Sequence, residues 1–280
     1  MNLYAYIQLA RPLNGLIAFL SVIFGAFLAS GNINPVFDVI IASAIALMLL
    51  SAGNAINDYF DVESDKINKP KRPIPSGKIS KHSALTFSIL LFIIGTLLSL
   101  IVNWVAFLIA LFVSLTLIFY AGKLRKLPLL SNLVVALLTS LTFIYGGVAV
   151  GKISGALIPA VFAFLFTSAR EIVKDIQDVD GDQATGMSSL AIKYGNKKAV
   201  YIALIFFSLL IIASPIPYLL DYYSIYYLLC VFFGVDIVLI FCMISLIRQP
   251  SKSVAGRIAN IMKFDIFIGL IAIYLGNLKL

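Results

Sequence analysis

The chain has 280 residues, 61% of them hydrophobic and only 12% charged, with a mean hydropathy of +1.03. A water-facing globule carries about 25% charged residues, so the polar surface that a soluble domain needs is missing and an integral membrane protein with many spans is expected. The formal net charge of +8 does not mark a nucleic-acid-binding protein, because the basic residues are distributed as a membrane topology signal.

Apolar runs long enough to cross a bilayer fall at 13–32, 36–57, 83–102, 104–121, 129–150, 154–173, 199–220, 224–247 and 258–277. Breaks at Gly31-Asn32, Asn103, Gly151-Lys152 and Asp221 separate neighbours. The expected fold is all-α and integral to the membrane: nine transmembrane helices, with two four-helix halves around a central cavity plus a ninth helix. The whole chain, 1–280, is expected to form one domain. The first run is expected to be a span and not a cleaved leader, since eight more spans follow it. Cys230 and Cys242 share one apolar stretch, which supports neither a disulfide framework nor a zinc cluster.

With nine spans, one side of the membrane receives the N-terminus and the 58–82, 122–128, 174–198 and 248–257 connections. These segments and the adjoining helix ends hold 19 of the 21 Lys and Arg residues, leaving Lys152 and Lys279 opposite. The positive-inside rule makes that side cytoplasmic and places the C-terminus outside. The two long loops, 58–82 and 174–198, follow the second and sixth spans.

Of thirteen Asp and Glu residues, nine sit in two short windows at those positions. The first reads Asn54-Ala-Ile-Asn57-Asp58-Tyr-Phe-Asp61-Val-Glu63-Ser-Asp65. Asn57, Asp61 and Asp65 recur at i, i+4 and i+8, one face of a continuing helix, with Asn54 and Asp58 alongside. The second is Arg170-Glu171-Ile-Val-Lys174-Asp175-Ile-Gln-Asp178-Val-Asp180-Gly-Asp182, where Asp175, Asp178 and Asp182 recur at i, i+3 and i+7. Carboxylates this crowded need a cation. Oxygen donors without nearby His or Cys suit Mg²⁺, which keeps substrate phosphates and waters in its shell. Two such windows at equivalent helix ends predict a diphosphate site rather than solvated loop charges. After the first comes Asn68-Lys69-Pro70-Lys71-Arg72-Pro73-Ile74-Pro75-Ser76-Gly77-Lys78, a stiffened cationic loop suited to anionic oxygens. His82, the lone histidine, reads as a loop residue.

These motifs resemble the UbiA superfamily of intramembrane prenyltransferases. Asn57-Asp58-Tyr59-Phe60-Asp61-x-x-x-Asp65-Lys-x-Asn68, Arg72-Pro73-Ile74-Pro75-Ser76-Gly77 and Asp178-x-x-x-Asp182 carry the likeness, which spans essentially the whole chain. The variant is most similar to the archaeal ether-lipid branch, as is Ser168-Ala-Arg-Glu-Ile-Val-Lys-Asp-Ile176. The resemblance implies an allylic prenyl diphosphate donor, Mg²⁺ (two ions), and ionisation of a C–O bond inside the membrane. Asn57, Asp61 and Asp65 would serve one metal–diphosphate face, and Asp178 and Asp182 the other, with Asp175 close by. Asn54 and Asp58 are candidates for receiving the acceptor's proton. Arg11, Arg72, Lys78 and Lys174 are candidates for phosphate contact. The family's basic residue after the fourth span is replaced by Leu124 here, so Lys123 or Arg125 takes its place. Tyr120 would shield the cation or touch diphosphate, unless it is an interfacial aromatic.

The branch implies transfer of a geranylgeranyl group to the 2-hydroxyl of geranylgeranylglyceryl phosphate, a lipid-phosphate acceptor in the cell membrane, with no obligate protein partner. The alternative is an aromatic acceptor such as 4-hydroxybenzoate. A CDP-alcohol phosphotransferase needs Arg where Asp180-Gly181-Asp182-Gln183-Ala184 continues into Thr185. A cation transporter would hold its site nearer the bilayer midplane. Asp236, mid-span, has no assigned role, and Asp265 is expected to be structural.

Overall fold

The computed structural model describes residues 3–184, 186 and 188–277, and Thr185 and Lys279 therefore lie outside the described residues. Among them the regular structure is helical throughout, and nine helices are long and apolar enough to cross a membrane. In chain order the helices are α1 (Leu3–Ala10), α2 (Pro12–Ser30), α3 (Val36–Phe60), α4 (Val62–Asn68), α5 (Lys81–Val102), α6 (Trp104–Gly122), α7 (Leu130–Ala149), α8 (Leu157–Gln177), α9 (Val179–Ala184), α10 (Leu190–Tyr194), α11 (Asn196–Ala213), α12 (Ile216–Leu219), α13 (Ile225–Val231), α14 (Ile237–Arg248) and α15 (Lys252–Asn277). A π-helical turn, Phe232–Asp236, joins α13 to α14 as one span.

The apolar runs located these helices, but several extend past them. The second span continues to Phe60, the sixth to Gln177, and the ninth starts at Lys252 instead of 258. Hydrophobicity reports only the lipid-embedded length, whereas backbone hydrogen bonding carries a helix on into the polar interface. That overhang is what brings both acidic windows onto helix ends. Large apolar side chains such as Leu97, Trp104, Ile212 and Leu219 face outward, as lipid-facing surfaces require.

The chain divides into two compact units. Unit 1 comprises residues 1–127, 141–157 and 180–187. Here α3 is the central helix, packed chiefly on α5 and α2 through Ala42, Ile45, Leu49 and Ala52, all buried. Asn103 caps α6, accepting from the Ala106 N–H at 2.8 Å, while its amide donates to the Val148 carbonyl at 3.1 Å. Helices α2 and α7 touch through glycine: a Cβ at Gly146 would fall 1.9 Å from the Val22 carbonyl oxygen. Ile74 and Ile79 are buried against Ala5, Leu9 and Ala55 and pin the 69–79 loop to α1 and α3.

Unit 2 comprises residues 128–140, 158–179 and 188–280. Within it α13 packs on α15, and α14 on α11 and α15. Asp236 is buried and accepts from Ser214 Oγ at 2.8 Å. Asp265 is buried too, and neither of its carboxyl oxygens has a hydrogen-bond partner.

Candidate active site

The first acidic window does not form the single continuing helix that its spacing suggests. Helix α3 ends at Phe60, Asp61 adopts φ −92° and ψ 5°, and α4 restarts at Val62. The backbone bonds nonetheless run through the break, Asp61 N–H to Asn57 O at 2.9 Å and Asp65 N–H to Asp61 O at 2.8 Å. The second window breaks alike at Asp178, between α8 and α9, where the Asp178 N–H still reaches Lys174 O at 2.9 Å. Each motif thus straddles a one-residue interruption in its helix.

In unit 1, arginines take up the carboxylates of the first window. Arg72 Nη1 donates to Asp65 Oδ2 at 2.5 Å and to Asp58 Oδ1 at 3.1 Å. Arg11 pairs with the same Asp58 oxygen, and Arg125 pairs with Asp61. Arg11 is held with φ 56° and ψ 71°, a left-handed conformation rare for a residue with a side chain. It sits between α1 and the Pro12 that opens α2, so its backbone turns while its guanidinium points at Asp58. Burial lowers the Arg11 guanidinium from its ordinary value, with Asp58 pulling the other way. Burial raises the Asp65 carboxyl above the usual carboxylate range, against the pull of Arg72. Asn54 is buried and donates to the Ala10 carbonyl at 3.2 Å, tying α3 to the end of α1.

The second window contributes Asp182 to unit 1. Ser64 Oγ donates to Asp182 Oδ1 at 2.8 Å, and the Gly181 N–H donates to Asn68 Oδ1 at 3.2 Å. In unit 2, Asp175 accepts from Asn132 Nδ2 at 3.1 Å, and Lys174 pairs with Glu171 at 2.7 Å.

Among the described residues no three Asp, Glu, His or Cys groups converge to cage a metal by themselves. Mg²⁺ seldom uses such a cage, binding one or two carboxylates and completing its octahedron with water and phosphate. The donor set fits that habit: Asp61, Asp65 and Asp182 in one unit, together with the Asn57 Oδ1, a buried amide oxygen with no hydrogen-bond partner. Hard oxygens of this kind are the donors that Mg²⁺ selects.

Residues 18–267 match the family described as the UbiA prenyltransferase family. The chain belongs to that family. It is 42% identical over 274 residues to the digeranylgeranylglyceryl phosphate synthase of Pyrococcus horikoshii, covering 98% of this chain and 97% of the relative. The namesake from Methanococcus aeolicus is 39% identical over 274 residues, with the same coverage. Among solved structures, one of a digeranylgeranylglyceryl phosphate synthase is 37% identical, covers 99% of each chain and superposes with a TM-score of 0.79. A UbiA homolog from Archaeoglobus fulgidus bound to GPP and Mg²⁺ shares the fold at 18% identity, with a TM-score of 0.67 over 96% of this chain and 99% of that one. As a UbiA family member with nine helices among its described residues long and apolar enough to cross a membrane, the chain is a multi-pass membrane protein.

The UbiA motifs therefore meet the structure as follows. Unit 1 gathers Arg11, Asn54, Asn57, Asp58, Asp61, Asp65, Arg72, Arg125 and Asp182, while Asp175, Asp178 and Lys174 belong to unit 2. Of the two basic candidates after α6, Arg125 engages the acidic motif, whereas Lys123 is exposed and lies over the Phe119 ring at 5.7 Å. Lys78 is exposed, and Tyr120 is buried in the last turn of α6. Sequence reading missed Ser64 as a site residue, and Asn132 with it. The signal for Ser64 was present: it lies one turn before Asn68 on α4, so the two share a face.

Proposed function

We propose that the protein transfers a geranylgeranyl group from geranylgeranyl diphosphate to the 2-hydroxyl of geranylgeranylglyceryl phosphate, giving an ether-lipid precursor and diphosphate. The observation that carries this reading is the joining of the two acidic motifs through Ser64 and Asp182, beside three arginines already drawn onto the carboxylates of the first motif. Sequence identity near 40% to synthases of that name supports the choice of acceptor.

Asn57, Asp61 and Asp65 would hold one Mg²⁺ and Asp182, in the same unit, would serve a second, with Asp178 and Asp175 candidates from the sequence motif alone. When bound, the metal would neutralise the leaving diphosphate, the largest charge developing in the transition state. The chain's own groups do the rest. Arg11, Arg72 and Arg125 neutralise the motif carboxylates before substrate arrives and are placed to exchange those partners for phosphate oxygens. Such an exchange keeps the site charge-balanced at each stage, which matters where dielectric is low. Tyr120 would shield the allylic cation with its ring, and the apolar helices keep water from capturing it. Asp58, between two guanidiniums, would orient them, and Asn54 supports the turn that carries Arg11. The N-terminus and both substrate loops lie on the cytoplasmic side in this reading, with the C-terminus outside the cell membrane.

The test offers detergent-purified protein labelled geranylgeranyl diphosphate and Mg²⁺, with geranylgeranylglyceryl phosphate and 4-hydroxybenzoate in separate reactions. An EDTA-sensitive ether lipid from the first acceptor alone is expected. A prenylated aromatic instead would move the function to quinone precursor synthesis.

A further inference from the structure

Ser64 and Asp182 are 118 residues apart in sequence, yet they are joined by one directed chain of hydrogen bonds. The Gly181 N–H donates to Asn68 Oδ1 at 3.2 Å, Asn68 Nδ2 donates to Ser64 Oγ at 3.4 Å, and Ser64 donates to Asp182 Oδ1 at 2.8 Å. The order is chemically forced. A backbone N–H can only donate, so it fixes which end of the Asn68 amide faces Gly181, and that leaves the NH₂ for Ser64. The NH₂ cannot accept, so the serine's one hydrogen goes to Asp182 Oδ1. Ser64 and Asp182 are both buried, so neither can replace this partner with bulk water.

Gly181 is part of the same device. A Cβ there would fall 2.2 Å from Asn68 Nδ2, so any larger residue would push the Asn68 amide out of the place from which it bonds Gly181 and Ser64. Asp65 follows Ser64 directly on α4. The chain of bonds therefore sets where the Asp182 carboxylate stands relative to Asp65.

We propose that Ser64 and Asn68 are positioning residues which lock the two acidic motifs at the separation needed to take up a divalent cation with diphosphate; this rests on the metal–diphosphate reading above. Partners that orient ligating carboxylates usually matter to metal affinity nearly as much as the ligands do. A mere fold staple would contribute stability and leave that affinity alone.

The experiment is a Mn²⁺ titration of the full chain in detergent with inorganic diphosphate, reading free Mn²⁺ by electron paramagnetic resonance, alongside melting of the metal-free protein. Ser64→Ala and Asn68→Ala should each weaken Mn²⁺ uptake by about 10-fold, and Ser64→Thr, which keeps the hydroxyl, should restore it. If wild type takes up no Mn²⁺, the metal–diphosphate reading itself fails. If wild type binds while both alanine variants bind equally well, the positioning role is wrong, whatever their melting temperatures. Should Ser64→Ala fail to fold, Asn68→Ala decides the matter from the other end of the chain of bonds.

Discussion

Arg72 holds Asp65 at 2.5 Å, and the same nitrogen reaches Asp58 at 3.1 Å. One guanidinium thus bridges a carboxylate on the last turn of α3 and one on α4, across the break at Asp61. Its backbone comes from the 69–79 loop, where the Arg72 N–H bonds Lys69 O at 3.0 Å and Ile74 anchors the turn. The proline-rich loop is therefore a mount for this side chain.

Replacing Arg72 by Lys keeps the charge but moves it onto a compact ammonium on a differently shaped stem. The nitrogen that reaches both Asp65 and Asp58 is thereby displaced, and the guanidinium's remaining donors are lost. With Arg72 still about one-fifth exposed, we expect a stability loss of only about 1 kcal/mol. The apparent KM for the prenyl diphosphate should rise by about 10-fold, because the pairing to phosphate is also lost. Steady-state kinetics with a melting curve checks both, and an unchanged KM would remove Arg72 from the substrate site.

Asp265 makes the opposite case. Buried in α15 with both carboxyl oxygens unpartnered, it bears a desolvation cost that no hydrogen bond offsets. Asp265→Leu should stabilise the protein by about 1–3 kcal/mol, seen as a higher melting temperature in detergent. A clear fall would show that this carboxyl has a partner that matters.

Gly146→Ala tests the packing of α2 on α7. The added Cβ would meet the Val22 carbonyl at 1.9 Å and the Ala26 nitrogen at 2.7 Å, both of them backbone. Backbone cannot swing aside as a side chain does, so a loss of about 3 kcal/mol or more is expected. Expression and thermal melting report it, and near-normal stability would mean that the helices lie further apart.

The raised Asp65 carboxyl gives a pH dependence with a definite sign. A carboxyl raised in the folded state adds stability below its ordinary value near 3.8, and that contribution is lost as pH rises through the raised value. Mg²⁺ selects the ionised form, so its effect runs the other way. The gain in melting temperature on adding MgCl₂ should grow as pH rises through the acidic range and level off once Asp65 is ionised. A gain that stays the same from acid to neutral pH would contradict this.

Much of the arrangement was legible in the residues because it depends on one-dimensional signals. The nine spans follow from apolar length, and Asp61, Asp65 and Asp182 stood out because carboxylates are scarce in so apolar a chain. Other features depend on contacts that no spacing reports. The break at Asp61 is a single residue whose backbone bonds persist, invisible to periodicity. Arg125 engages Asp61 while Lys123, two residues before it, is exposed on the Phe119 ring. Sequence left that choice open because both are cations after α6. Asn54 read as a candidate for chemistry, yet its amide holds the Ala10 carbonyl, a bond set by how α1 folds back on α3.

The most direct measurement of the central claim is product formation by wild type, Asp61→Asn and Asp182→Asn. Each receives labelled geranylgeranyl diphosphate, geranylgeranylglyceryl phosphate and Mg²⁺, with and without EDTA. Asparagine keeps size and polarity but removes the charge, so folding should be retained and melting temperatures should confirm it. If the two motifs act as one metal–diphosphate site, wild type makes an EDTA-sensitive ether lipid and each variant loses turnover by about 100-fold or more. Turnover within a few-fold of wild type in either folded variant would contradict the account.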